Sequence, residues 1–192
     1  MNANVTKTNL SRVLVAVLAM ALVVIGAVVV LSDNTVNAAS YEDAAELQEA
    51  LNVEGATEVT LDNQLAITGD FTVPEGVTLI VNGEISATDA NIVVNGTITN
   101  NAGINMTNSD MSGSGTIDGT SAGGILIYSG SITGVNFDAS NTAGGSITIT
   151  PVANVTVSDI IVTIDDADAS TDRGIYVNPY NGGAATISNV TF

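Results

Sequence analysis

Four six-residue units in the second half of the chain align with one another, and no other feature restricts its possible folds as much. They are Met106-Thr-Asn-Ser-Asp-Met111, Ile132-Thr-Gly-Val-Asn-Phe137, Val157-Ser-Asp-Ile-Ile-Val162 and Ile187-Ser-Asn-Val-Thr-Phe192, with starts 26, 25 and 30 residues apart. Their third positions are Asn108, Gly134, Asp159 and Asn189, residue types that tolerate left-handed backbone angles. A second unit precedes three of them: Gly124-Ile-Leu-Ile127, Ser146-Ile-Thr-Ile149 and Gly174-Ile-Tyr-Val177. Each coil thus reads as strand, loop, strand, one-residue bend, strand, loop. Period-two alternation sends Ile125/Ile127, Ile147/Ile149 and Ile175/Val177 to one face and Leu126, Thr148 and Tyr176 to the other. One coil of about 25 residues cannot close a core, but coils stacked at about 4.8 Å pair each strand with its counterpart and build continuous apolar ladders.

The expected fold is therefore all-β: a right-handed parallel β-helix, a single-stranded solenoid with three-sheet coils, about six of them. The competing arrangement is a β-sandwich of short strands with two-residue Asn-Gly hairpins. Val81-Asn-Gly-Glu-Ile85 and Val94-Asn-Gly-Thr-Ile98 have that look and recur after 13 residues. They are read as tighter, less regular coils near the N-terminal end. Ser40-Tyr-Glu-Asp43 resembles a capping box, and Ala44, Leu47, Ala50 and Leu51 follow at helical spacing. A short amphipathic cap helix of about three turns is expected in residues 39–55, ended by Asn52 to Gly55, with the solenoid over 56–192.

Residues 1–38 read as an address. Lys7 and Arg12 precede an uncharged apolar run from Val13 to Leu31, and Val36-Asn37-Ala38 offers small residues for a signal-peptidase cut. The run is also long enough for an uncleaved signal anchor. Either way the remainder is expected to be secreted or held at the cell surface, touching the membrane only through this segment. The chain carries 20 acidic residues against 3 basic ones, a formal charge of −17, with no His and no Cys. That composition removes the usual zinc sites, thiol nucleophiles, disulfides and Ser-His-Asp triads. It also leaves nucleic-acid binding without a driving force.

The units Ile132–Phe137, Val157–Val162 and Ile187–Phe192, with the capping segment Ser40–Leu61, resemble the pectate-lyase-like right-handed parallel β-helix superfamily, and the Thr/Asn/Gly/Val-rich acidic composition is similar to its adhesin-like surface branch. The resemblance implies a fold more than an activity, since the superfamily spans lyases, hydrolases, tailspikes and adhesins. Gly113-Ser-Gly-Thr-Ile-Asp-Gly119 resembles a structural segment of polygalacturonase-type hydrolases. The carboxylates that this family would supply are incomplete. Asn141-Thr142 is followed by Ala143, and Asp165-Asp166 stands without a His or a later Lys. A lyase would need a base, for which Arg173 alone is available. The expectation is accordingly no enzyme, with a polysaccharide lyase or glycoside hydrolase as one alternative and a scaffold or stalk segment as another.

Three sets of residues remain as candidate sites. Asp165, Asp166, Asp168 and Asp172, with Ser170, have the alternate oxygen spacing of a Ca²⁺ loop but lack the glycine and glutamate of an EF-hand. They read more readily as a solvated acidic loop with Arg173 as its local counter-charge, low-affinity Ca²⁺ binding being the alternative. Tyr128, Tyr176 and Tyr180 lie on or beside outward positions and could stack on a polysaccharide or cell-surface glycan; three surface tyrosines also arise by chance. Asn95, Asn105, Asn154 and Asn189 each open an Asn-x-Ser/Thr glycosylation sequon, which a Thr/Asn-rich chain also produces by composition. The last coil is expected to present an open edge to further chain or to a partner.

Overall fold

The computed structural model describes residues 35–36, 40–120, 124–141, 147–164, 174–178 and 182–192. All of them lie in the second of two compact units, residues 33–192. Apart from one short helix the described chain is all-β, wound into a parallel β-solenoid of about five turns.

Every strand pairs in parallel with its equivalent one turn away, so the sandwich with antiparallel hairpins is excluded. Three faces result. The first holds β2 (Glu58–Leu61), β4 (Thr78–Val81), β6 (Thr97–Asn100), β9 (Thr116–Thr120), β12 (Asn136–Asn141) and the end of β14 (Val155–Thr163). The second holds the starts of β3 (Leu65–Val73) and β5 (Ile85–Val94), then β7 (Ile104–Thr107), β10 (Ile125–Ile127), β13 (Ile147–Ile149) and β15 (Ile175–Val177). The third takes the ends of β3 and β5, then β8 (Ser109–Ser112), β11 (Gly130–Thr133), the start of β14 and β16 (Ala185–Thr191). A two-residue strand, β1 (Thr35–Val36), bridges to β2 at the start of the first face. It lies upstream of the expected cut after Ala38, so cleavage there would remove it.

The core follows from strand alternation. Val59, Leu79, Ile98, Ile117, Phe137 and Val162 stack on the first face, each no more than 2 % exposed. Phe71, Ile92, Met111, Ile132 and Val157 do the same on the third. Asn100, Ser109 and Ser129 are the buried polar side chains among the described residues. Asn100 is fully buried, and it accepts from the Gly103 N–H (2.9 Å) and donates to the Gly124 carbonyl (3.2 Å), which satisfies the turn between the first and second faces in two successive rungs.

Several sequence expectations need correction. Ladder partners in the first rungs are 19 to 21 residues apart, and only later rungs reach 25 and 30. The Asn82-Gly83 and Asn95-Gly96 pairs are two different corners of these short, regular rungs. Asn82 and Gly83 donate to Leu61, whereas Asn95 and Gly96 donate to Val73. Asn108 also belongs to a different corner from its supposed equivalents. Met111, not Met106, stands in register with Ile132. Asn108 (φ +49°) therefore turns the chain from the second face to the third, like Asp89 (φ +51°) and Gly69 (φ +75°). Gly134 (φ +78°), Asp159 (φ +55°) and Asn189 (φ +49°) turn it from the third face to the first.

The helix is shorter than expected. α1 (Ala44–Leu51) has eight residues, and its N-cap is Asp43 rather than Ser40. Asp43 Oδ1 accepts from the Ala45 and Glu46 N–H groups (2.9 and 3.0 Å), and Glu46 reaches back to the Glu42 N–H (2.9 Å). Leu47 and Leu51 close the N-terminal end of the core, 0 % and 1 % exposed. Gln48 completes the lid by imitating a strand: its Oε1 accepts from Thr72 N–H (2.7 Å) and its Nε2 donates to Thr72 C=O (2.9 Å). The otherwise unpaired edge of β3 is thereby satisfied at this point.

Candidate functional site

Outward positions of the solenoid form rows, because parallel in-register pairing puts equivalent side chains one strand spacing apart. At the corners and on the third face the rows are ladders of amide and carboxylate. Asn82 donates to Asp62 (2.8 Å), Asn101 to Asn82 (2.8 Å), Asn91 to Asp70 (3.2 Å), Asn108 to Asp89, and Asn189 to Asp159 (2.9 Å). Ser131 donates to Asp110 (2.6 Å) and Gln64 to Glu84 (3.1 Å). The strongly acidic chain thus meets most of its stacked carboxylates with a neutral donor in the adjacent rung, which avoids like-charge repulsion at strand spacing.

One pairing of two carboxylates escaped the sequence reading. Asp118 and Asp138 are direct partners on the first face, between β9 and β12, and both are half-buried. Aligning Thr116-Ile-Asp118 with Asn136-Phe-Asp138 would have revealed the pair. Among the described residues, no group of three or more His, Cys, Asp or Glu is placed to hold a metal ion. The Ca²⁺ candidates Asp165, Asp166, Asp168 and Asp172 lie outside the described residues, as does Tyr180.

The other two tyrosines share the second face. Tyr176 is the central residue of β15 and is 41 % exposed. Tyr128 directly follows β10 and is half-buried, its N–H donating to Met106 and its carbonyl accepting from Val152 (both 2.9 Å). Register places Ser86, Asn105, Leu126, Thr148 and Tyr176 in one outward row of this face. The next outward position of each strand carries Thr88 and Thr107, which are paired, and then Tyr128, Thr150 and Asn178.

The sequons divide by environment. Asn95 and Asn154 are exposed at corners, whereas Asn105 is half-buried between Ser86 and Leu126. Asn189 is exposed, but its amide nitrogen is engaged by Asp159 and its backbone is left-handed. Among the described residues no helix is long and apolar enough to cross a membrane, and the apolar run 13–31 lies outside them.

Comparison with known proteins adds no family: no family model matches the chain, and neither a curated protein nor a solved structure matches it. The parallel β-helix is established by its own register.

Proposed function

We propose that this chain is an exported, non-enzymatic β-helix module of the adhesin-like surface kind, akin to the pectate-lyase-like superfamily, and that it binds glycans passively. The observation that carries the reading is the parallel pairing of successive rungs, which turns outward Thr, Ser, Asn, Asp and Tyr residues into rows along the solenoid. Rows rich in hydroxyls and amides suit a repeating polymer, because each rung presents its outward side chains one strand spacing from the last. The basic-then-apolar order of residues 1–38 supports export, with the solenoid outside the cell. The last described rung supports docking of a partner. There, core-phase residues are open to solvent, with Val177 37 % and Ile187 42 % exposed.

Surface labelling tests the reading. Intact cells expressing the full chain with an epitope at the C-terminus should bind antibody, and external protease should remove the signal. Labelling that requires permeabilised cells would overturn the export reading.

A further inference from the structure

We infer that the second face is a docking strip for an uncharged glycan chain running along the solenoid axis; this rests on the glycan-binding reading and assigns its face and ligand class. The distribution of charge carries the argument. The first face bears Glu58, Asp118 and Asp138, the third bears Asp70 and Asp110, and the corners of the early rungs bear Asp62, Glu84 and Asp89. From β7 through β10 and β13 to β15, by contrast, the described outward positions of the second face are Asn105, Thr107, Leu126, Tyr128, Thr148, Thr150, Tyr176 and Asn178. In a chain of net charge −17, these described positions carry no acid across four successive rungs, whereas in the same stretch the first face carries Asp118 and Asp138 and the third carries Asp110.

Composition of the strip matches the needs of a neutral sugar polymer. Two tyrosine rings, two rungs apart and offset by one outward position, offer apolar platforms for the C–H faces of sugar rings. The hydroxyls of Thr148 and Thr150 in the rung between them supply donors and acceptors for ring hydroxyls. Four rungs at about 4.8 Å give a strip long enough for several sugar units. A polyuronate or sulfated glycan would meet no basic side chain among the described residues of the strip, in a chain of net charge −17, so its own charge opposes docking. The ligand class is thus neutral, in contrast to the acidic polymers that pectin-degrading enzymes take.

Native affinity electrophoresis of the full chain, in a non-ionic detergent without a sugar headgroup, tests this with three probes: neutral mannan, neutral β-glucan and polygalacturonate. At least one neutral polymer should retard the protein, and polygalacturonate should not. Tyr176→Ala or Tyr128→Ala should weaken retardation by roughly tenfold, the loss of one stacking platform. Thr148→Glu, which puts a charge mid-strip, should abolish it, while Tyr176→Phe and the third-face changes Ser131→Ala and Thr156→Ala should leave it intact. Circular dichroism of each variant separates lost binding from lost fold, and Tyr176→Ala, on an exposed position of the last rung, keeps the test valid if Thr148→Glu misfolds. Retardation by polygalacturonate alone, or neutral retardation that survives both Thr148→Glu and Tyr176→Ala, would overturn the strip while leaving glycan binding in place. No retardation by any of the three polymers would overturn glycan binding and the strip together.

Discussion

The two ends of the solenoid are built to different standards. At the N-terminal end α1 drives Leu47 and Leu51 into the core, and Gln48 satisfies a backbone edge. At the other end Ile187 extends the buried ladder of Ile132 and Val157 yet is 42 % exposed, and Phe192 is 76 % exposed. The early rungs are also short and uniform, whereas the later ones lengthen to 25 and 30 residues. In a stacked repeat each rung is stabilised only by its neighbours. Identical residue types at identical phase therefore contribute by position, and the contrast can be measured.

The largest effect is expected at the corners where rungs touch backbone to backbone. Gly113 (φ +129°) and Gly130 (φ +111°) sit so close to the preceding rung that a Cβ would overlap the carbonyl oxygens of Val94 and Ser109. Gly113→Ala or Gly130→Ala combines that clash with a disallowed φ and should cost more than about 3 kcal/mol. Gly69 (φ +75°) has open space around it, so Gly69→Ala should cost only about 1 kcal/mol of conformational strain. Equal losses in urea titrations of the two kinds of variant would contradict the stacked geometry.

Next in size is the comparison along the ladders. Ile98, 1 % exposed in mid-solenoid, should lose about 2–5 kcal/mol as Ile98→Ala, the range for a buried cavity. Ile187→Ala, in the open last rung, should lose less than about 1 kcal/mol. If Ile187→Ala matched Ile98→Ala, something would have to cover the last rung in solution.

What was legible in the sequence follows the same division. Period-two alternation identified the inward ladders, and the recurrence of corner residues identified stacking, because both are local consequences of one backbone repeating. Register was less legible. The unit beginning at Met106 aligns well by residue type, yet Met111 holds the equivalent place, since left-handed residues serve both the second-to-third corner (Gly69, Asp89, Asn108) and the third-to-first corner (Gly134, Asp159, Asn189). The helix cap was displaced by three residues for a similar reason: Ser40 and Asp43 are both good N-caps, and burial of Leu47 and Leu51 decides between them. The candidate site was half legible. The tyrosines were visible, but that Tyr128 and Tyr176 share a face whose described strand positions carry no acid required the register of the strands.

A smaller change should loosen the closed end. Gln48→Ala removes the side-chain amide from both backbone groups of Thr72, leaving a strand edge to water, and should cost about 1–2 kcal/mol. Hydrogen exchange supplies the specific readout: protection of the Thr72 amide should fall while that of Ile98 stays within the global change. A uniform loss across the solenoid would show that α1 acts through burial alone.

The smallest effect has the opposite sign. Tyr41 lies at the closed end, 9 % exposed, with its N–H donating to Asn63 Oδ1 (3.0 Å) and its carbonyl accepting from Asn63 Nδ2 (2.9 Å). Its hydroxyl is buried and has no hydrogen-bond partner among the described residues, and burial raises the phenol pKa above its ordinary value of 10.0. Since the folded state disfavours the phenolate, this contribution to stability is complete below the unfolded value and is lost as pH rises through the higher folded one. Tyr41→Phe keeps the ring and removes an unsatisfied hydroxyl, so near neutral pH it should stabilise the fold by about 1 kcal/mol. Above about pH 10 the gain should widen, because the variant has no phenol to ionise at that position. Urea titrations of both chains at neutral and alkaline pH measure the difference. A loss of stability at neutral pH would mean that the hydroxyl is hydrogen-bonded after all.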